Sequence, residues 1–171
     1  MQSNTSLRKW SDLQGLAAVT MDTGQKAGTL DDFYFDPHTA TILAFAVKTG
    51  VFGHRVLPVS SINAVGQDAI TFPGESSLVK ENSSAELQAA PTGRGLLSYK
   101  VLSEGGNVVG TLGNVTLDTS VPTAIRIASL ELAGGLRERI SGRYPSFTPE
   151  QIVRYGQDVL VILDSVAQSL H

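Results

Sequence analysis

Gly28-Thr29-Leu30-Asp31-Asp32-Phe33-Tyr34-Phe35 leads into the turn Asp36-Pro37-His38-Thr39. Phe33 and Phe35 alternate with polar neighbours, as in a β-strand with one buried face. Asp followed by Pro favours a tight turn, because proline presets its own φ angle. The next segment, 41–48, alternates again and places Leu43, Phe45 and Val47 on the face expected to be buried. The stretch therefore predicts two strands joined by a turn.

Further short strands flank this stretch on both sides. Leu16–Met21 precedes it, and a hairpin tip at Gly50-Val51-Phe52-Gly53 follows it. His54–Val59 returns from the tip, and Ala69–Phe72 closes the unit. Strands this short, separated by Gly, Pro and Asp turns, are typical of a small all-β domain.

The same pattern returns in the second half of the chain. Gly110-Thr111-Leu112-Gly113-Asn114-Val115 aligns with 28–33 at an offset of 82 residues. Gly156-Gln157-Asp158-Val159-Leu160 aligns with 66–70 at an offset of 90. The order of turns and apolar runs between these anchors agrees, which indicates an internal duplication. The difference of 8 residues (90 − 82) is an insertion that we expect within 136–147.

The repeat divides the chain into two predicted units, 10–72 and 96–164, with a linker at 73–95 and a short helical tail at 165–171. The linker is rich in Ser, Ala, Gly, Glu and Pro. Units of about 60 residues with five or six strands usually remove their exposed edges by closing into barrels. The sequence therefore predicts a mainly β fold of two tandem small β-barrels with short helical turns.

Composition narrows the classes of function. The 171 residues include no cysteine, which excludes disulfides, thiolate nucleophiles and Cys-ligated metals. The net charge is −3, and the chain has no basic stripe of the kind that nucleic-acid binding needs. No window approaches the ~20 apolar residues of a membrane span. We expect a cytoplasmic protein that binds no nucleic acid and spans no membrane.

One known family shares the motifs of the first unit. The shared positions, in order, are Gly15, Val19-Thr20-Met21-Asp22-Thr23-Gly24, Gly28-Thr29-Leu30-Asp31-Asp32, Asp36-Pro37-His38-Thr39, Leu57-Pro58-Val59, Ile62 and Gly66-Gln67-Asp68-Ala69-Ile70. Through them the segment 10–72 resembles a PRC-barrel domain, and 97–163 resembles one through fewer positions. Relatives include the cytoplasmic domain of the photosynthetic reaction-centre H subunit and the C-terminal domain of a ribosome maturation factor. The resemblance implies an interaction module, and the family has no known catalytic residues to transfer.

The most conspicuous polar cluster is Asp31, Asp32, Asp36 and His38. Calcium loops need oxygen ligands at alternating positions with a glycine for the turn. Here Phe33-Tyr34-Phe35 interrupts the carboxylates, so the cluster is interpreted as a strand followed by an Asp-Pro turn. No nucleophile motif of the Gly-x-Ser-x-Gly type occurs. The sequence predicts no catalytic residue, no metal site and no cofactor.

Two segments are candidate protein interfaces. The first is the hairpin tip with Val51 and Phe52, whose aromatic ring either folds back over the barrel or is offered to a partner. The second is the insertion 136–147, which carries Arg137, Arg139, Arg143 and Tyr144 and whose alternative is a solvated loop. Arg and Tyr are enriched in binding hot spots.

These observations leave two main hypotheses of different classes. The leading one is a non-enzymatic protein-interaction, scaffolding or assembly module that binds another protein or a second copy of itself. The alternative is a small-molecule-binding protein or an unrecognised enzyme that uses the cleft between the barrels, since domain interfaces favour pockets. A third, weaker hypothesis is a ribosome-assembly adapter.

Overall fold

The computed structural model describes residues 6–51 and 53–170, and the fold of this part of the chain is mainly β with a curled sheet. The strands β1 to β13 are, in chain order, Leu7–Lys9, Ala17–Thr20, Lys26–Asp36, Thr41–Thr49, Gly53–Pro58, Ala64–Val65, Ala69–Phe72, Lys100–Ser103, Val108–Asp118, Arg126–Leu132, Ser146–Phe147, Ile152–Tyr155 and Val159–Ile162. The helices α1 to α5 are Trp10–Leu13, Ala85–Ala89, Gly93–Leu96, Leu136–Ser141 and Asp164–Ser169. Single 3₁₀ turns lie at Val59–Ser61, Glu75–Ser77 and Pro149–Gln151. The prediction of a mainly β fold with short helical turns is confirmed.

A bulge between β3 and β4 changes which side chains reach the core. Tyr34 lies opposite Ala44, but the next pair is Phe35 and Ile42, so Leu43 is an extra residue in β4. Such a bulge moves the inward-outward alternation along by one residue. Ile42 is therefore buried while Leu43 is only half-buried. The prediction that Leu43 belongs to the buried face is wrong for this reason.

The two halves of the chain share one pattern of strand pairing. In the first half, β2 lies between parallel β7 and antiparallel β3, β4 and β5 follow β3, and β6 pairs with β7. In the second half, β8 lies between parallel β13 and antiparallel β9, β10 and β11 follow β9, and β12 pairs with β13. This repeated order is the structural counterpart of the sequence repeat. The closure of each half into a separate barrel stays a prediction.

The strand register locates the eight inserted residues. The offset between halves is 82 at the last residues of β3 and β9, Asp36 and Asp118, and 85 at the first residues of β4 and β10, Thr41 and Arg126. Three inserted residues thus lie in the turn 119–125, and the other five lie between β10 and β11. The expectation that the whole insertion falls within 136–147 is wrong, because short matches at two anchors do not locate gaps between them.

The halves meet edge to edge and share a single core. β4 and β10 are antiparallel and pair only through their first residues, Thr41 and Arg126, so the two strands run away from each other. β1, which precedes the first half, pairs with β9 of the second. One cluster of buried apolar side chains extends from Phe33 and Phe45 in the first half to Leu117 and Leu130 in the second.

The segment 73–95, interpreted as a linker, packs along the first half. Val79 exchanges two backbone hydrogen bonds of 2.8 Å with Val56 of β5. Thr92 pairs with Tyr34 of β3, and Pro91 accepts a hydrogen bond from the Phe35 amide at 3.1 Å. The segment therefore carries the chain across the surface of the first half to the start of β8.

Candidate interaction surface and inter-unit cleft

The hairpin tip predicted as an interface lies between β4 and β5. Gly50 has a φ of +70°, the left-handed conformation that glycine adopts readily and that a tight turn requires here. The Val51 side chain is 79% exposed. Phe52 lies outside the described residues, so the orientation of its ring stays open.

The second predicted interface occupies the equivalent connection in the other half, between β10 and β11. Here the insertion forms the helix α4 instead of an irregular loop. Glu138 accepts a hydrogen bond from the Gly135 amide at 2.9 Å, and Gly142 ends the helix with a φ of +71°. A helix of six residues is unstable by itself, so these two ends contribute to its stability.

The outer face of α4 is apolar. Leu136 and Ile140 stand four residues apart, on the same side of the helix, and are 73% and 78% exposed. The sequence interpretation missed both residues. Their i, i+4 spacing between glycines was the available signal, because Gly135 and Gly142 mark the two ends of a one-and-a-half-turn helix.

Three arginines surround this apolar pair. Arg137 and Arg139 lie on α4, Arg143 follows it, and all three are exposed. Among residues 6–51 and 53–170, none of these guanidinium groups is in an ion pair. We call Leu136, Arg137, Arg139, Ile140 and Arg143 the α4 surface.

Tyr144 has a different place from the arginines. It is half-buried below α4, and the Lys9 ammonium lies 5.6 Å from the centroid of its ring. Lys9 in turn pairs with Glu131 of β10 at 3.1 Å. Tyr144 therefore contacts Lys9 of β1, whereas the three arginines are exposed.

The two predicted interfaces do not form one surface. Each follows the last residue of a central strand, Thr49 of β4 or Leu132 of β10. Because β4 and β10 run in opposite directions from their shared first pair, these ends lie on opposite sides of the junction. The α4 surface carries three exposed arginines.

A separate cavity of about 350 Å³ lies where the halves meet. The turn after β3 contributes His38, α3 contributes Leu96, and β12 contributes Arg154 and Tyr155. Phe35, Ile127 and Leu130 supply buried apolar walls. His38 and Arg154 are exposed, which puts them at the mouth. We call this cavity the inter-unit cleft.

Tyr155 is the unusual polar group of the cleft. Its ring packs against Phe35 at 5.6 Å and against Tyr99 at 5.5 Å between centroids. Its hydroxyl oxygen is buried and forms no hydrogen bond with the residues that the structure describes. Burial raises the pKa of Tyr155, and the neighbouring Tyr99 raises it further. The phenol therefore stays protonated, and its oxygen is closed to solvent.

The acidic cluster near β3 has structural partners. Asp36 accepts a hydrogen bond from the His38 amide at 2.9 Å and closes the turn. Asp31 pairs with Arg94 at 3.4 Å, and the His54 imidazole lies 3.7 Å from the same carboxylate. Burial raises the pKa of Asp32, while hydrogen bonds from two backbone amides act in the opposite direction. Within the described ranges, no three His, Asp or Glu side chains are arranged to hold a metal ion.

Comparison with known proteins identifies the first half. Residues 7–78 match the family model of the PRC-barrel domain, which confirms the family recognised from the motifs in 10–72. Among curated proteins, none matches the chain in sequence. Across the part of the chain that the structure describes, no helix has the length and apolar character needed to cross a membrane.

Proposed function

We propose that this chain is a non-enzymatic docking module that binds an acidic protein through the α4 surface. One observation carries the proposal: Leu136 and Ile140 point outward from α4 in the midst of three arginines that lack an ion-pair partner within the described residues. The resemblance to the PRC-barrel family, an interaction module in its relatives, supports it. We also propose that the protein is located in the cytoplasm, which cell fractionation tests.

Burial of the exposed pair Leu136 and Ile140 against a partner would stabilise the complex. Complete burial of a Leu or Ile side chain stabilises a complex by roughly 1.5–3 kcal/mol relative to exposure. A surrounding ring of Arg adds bidentate hydrogen bonds to carboxylates and favours aromatic contacts. The α4 surface thus combines an apolar centre with a charged rim, the usual anatomy of a protein interface.

Charge decides between the kinds of partner. In a symmetric dimer formed through this patch, the arginines of one copy would face those of the other, which disfavours self-association there. Nucleic acid would engage the arginines through phosphates, but it would leave Leu136 and Ile140 without an apolar partner. A protein with carboxylates around an apolar spot satisfies both groups.

The test compares the wild-type chain with the double variant Leu136→Asp/Ile140→Asp in capture from native lysate. We expect the double variant to lose the captured protein and Val121→Asp, an exposed apolar residue away from α4, to retain it. Equal capture by all three chains contradicts the proposal. A dimer in light scattering that the double variant abolishes would assign the surface to self-association instead, and co-sedimentation with ribosomal subunits would favour the adapter role.

A further inference from the structure

The two halves differ in what covers one edge of their sheet. In the first half, Val56 of β5 is buried and exchanges two backbone hydrogen bonds of 2.8 Å with Val79. Val56 lies opposite Ala46 of β4. The offset of 85 matches Ala46 with Glu131 of β10, and Glu131 lies opposite Ser146 of β11. Ser146 is therefore the equivalent of Val56 in the second half.

The edge of β11 is open at Ser146. The Leu132 amide donates to the Pro145 carbonyl at 2.9 Å, so these two residues form a hydrogen-bonded pair of the ladder. Hydrogen-bonded and non-bonded pairs alternate between antiparallel strands, and the N–H and C=O of Ser146 therefore point away from β10. Ser146 is exposed, and no residue in the ranges 6–51 and 53–170 bonds to these two backbone groups.

The segment that leaves the second half takes a different route from its counterpart in the first. After β7, the chain passes through the 3₁₀ turn Glu75–Ser77 and reaches β5 at Val79. After β13, the chain forms α5 instead, and its Asp164 accepts a hydrogen bond from the Gly105 amide, just beyond β8, at 3.0 Å. β9 and β10 lie between β8 and β11 in the sheet. α5 therefore leaves the edge of β11 uncovered.

The open edge favours one kind of occupant. Exposed N–H and C=O groups on an edge strand are a template for another extended chain. The edge is short, because the next outward amide, that of Thr148, already bonds to Gln151 Oε1 at 2.9 Å. An antiparallel strand would run from Ser146 back towards the exposed Arg143, three positions earlier in the chain. Carboxylates on that strand would add charge-assisted hydrogen bonds to the backbone pairing.

We propose that the edge of β11 binds an extended acidic segment of the partner protein as an added antiparallel strand. One residue of the segment exchanges two backbone hydrogen bonds with Ser146, as Val79 does with Val56 in the first half. Carboxylates that follow this residue meet Arg143. The inference rests on the proposed function, because the same partner covers the α4 surface, and it adds that the partner is recognised through its main chain.

A peptide that copies the covering segment of the first half tests the pairing. The probe is the capped peptide of residues 76–83 with Lys80→Glu and Asn82→Glu, titrated into the full chain and followed by ¹H–¹⁵N chemical shifts. We expect saturable shifts at Ser146 and its neighbours with a Kd of about 1 mM or tighter. N-methylation at Val79 of the peptide removes the donor to Ser146 and should weaken binding about fivefold, the effect of one hydrogen bond. N-methylation at the next residue, whose N–H points outward, should not. Absence of shifts at Ser146 with about 5 mM peptide would overturn the proposal.

Two variants of the chain make the matching test from the other side. Ser146→Pro removes the outward N–H and keeps the pairing with β10, whereas Ser146→Val keeps the N–H and introduces the side chain found at Val56. The first should bind the peptide about fivefold more weakly than the second. Without peptide, both should melt close to the wild type, since neither loses a hydrogen bond within the chain. A large loss of stability in Ser146→Pro alone would show that its N–H is bonded internally and would overturn the proposal.

Capture from native lysate separates this inference from the proposed function. Loss of capture by Leu136→Asp/Ile140→Asp, without peptide shifts at Ser146, would support the α4 surface and overturn the role of the β11 edge. Shifts at Ser146 together with equal capture by the wild type and the double variant would support the edge and contradict the α4 surface. A dimer in light scattering that Ser146→Pro abolishes would assign the edge to a second copy of the chain and overturn the proposal.

Discussion

Asp32 and Asn114 hold equivalent positions in β3 and β9, and each fastens the short helix that precedes the opposite half. Asp32 Oδ1 accepts a hydrogen bond from the backbone amide of the next residue, Phe33, at 2.8 Å. It accepts a second one from the backbone amide of Arg94 in α3 at 2.9 Å. Asn114 Oδ1 accepts from its own neighbour's amide at 2.9 Å and from the Ser11 amide of α1 at 3.3 Å. The Asn114 amide group also donates to Ser11 Oγ at 2.8 Å.

This relationship interlocks the halves. α1 leads into the first half but is held by the second, and α3 leads into the second half but is held by the first. The backbone pairings repeat the exchange, since Lys9 pairs with Thr116 and Thr92 pairs with Tyr34. Neither half possesses its complete set of contacts without the other.

We therefore expect the chain, cut between Lys80 and Glu81, to behave as two interdependent fragments. Each fragment alone should give a poorly dispersed NMR spectrum. The first fragment lacks α3, which β3 holds, and the second lacks β1 and α1, which β9 holds. An equimolar mixture should recover the dispersion of the intact chain. Two fragments that fold separately with the melting temperature of the intact protein and ignore each other would contradict the interlocked arrangement.

Gly93→Ala should destabilise the protein through a direct clash. A Cβ at this position would lie 2.3 Å from a ring carbon of Phe33, which is buried and also packs edge-on against Trp10. Overpacking of this kind costs about 1–3 kcal/mol in the free energy of unfolding, measured by denaturant titration. The control, Gly95→Ala in the same helix, meets only the Thr92 hydroxyl at 3.4 Å and should be neutral or stabilising. Equal losses in both variants would contradict the clash.

Asp32→Asn should make the protein more stable at neutral pH. Burial raises the pKa of Asp32 in the folded chain, so the folded state binds its proton more tightly than the unfolded state. The contribution of Asp32 to stability is then complete below its unfolded pKa of about 4 and is lost as the pH rises through the folded value. Asparagine keeps the acceptor oxygen, as Asn114 shows, without the charge.

Melting temperatures from pH 8 to pH 3.5 check this prediction. The advantage of Asp32→Asn over the wild type should shrink as the pH falls. The reciprocal Asn114→Asp should be destabilising at neutral pH, since it also loses the bond donated to Ser11 Oγ. A constant difference between Asp32→Asn and the wild type at every pH would contradict the role of burial.

Binding through the α4 surface should weaken with salt. Exposed arginines attract an acidic partner over a Debye length of about 8 Å at physiological ionic strength and much less at 1 M. Arg137→Glu/Arg139→Glu should reduce the affinity for the captured protein by about tenfold or more, and its residual binding should lose the salt dependence. Arg55→Glu/Arg154→Glu, at two exposed arginines outside the α4 surface, serves as the charge-matched control. Affinity that is independent of salt would contradict an acidic partner.

The strands, most turns and the repeat could be predicted from the sequence, because alternation and turn chemistry depend on neighbouring residues. Its alignment already matched Asp32 with Asn114, and it predicted the helical tail at 165–171, close to α5 at Asp164–Ser169. Val51 and the arginines of 137–143 were selected from local composition alone.

Which of these residues lie together depends on how the two halves of the chain pack. Contacts between segments distant in the chain produce the bulge that displaces Leu43 and the exposed side of α4. They also hold α1 and α3 against the opposite halves and bury the Tyr155 hydroxyl. Such contacts form when the sheet curls and the halves meet, and their geometry depends on register and packing. No pattern of adjacent residues contains that information.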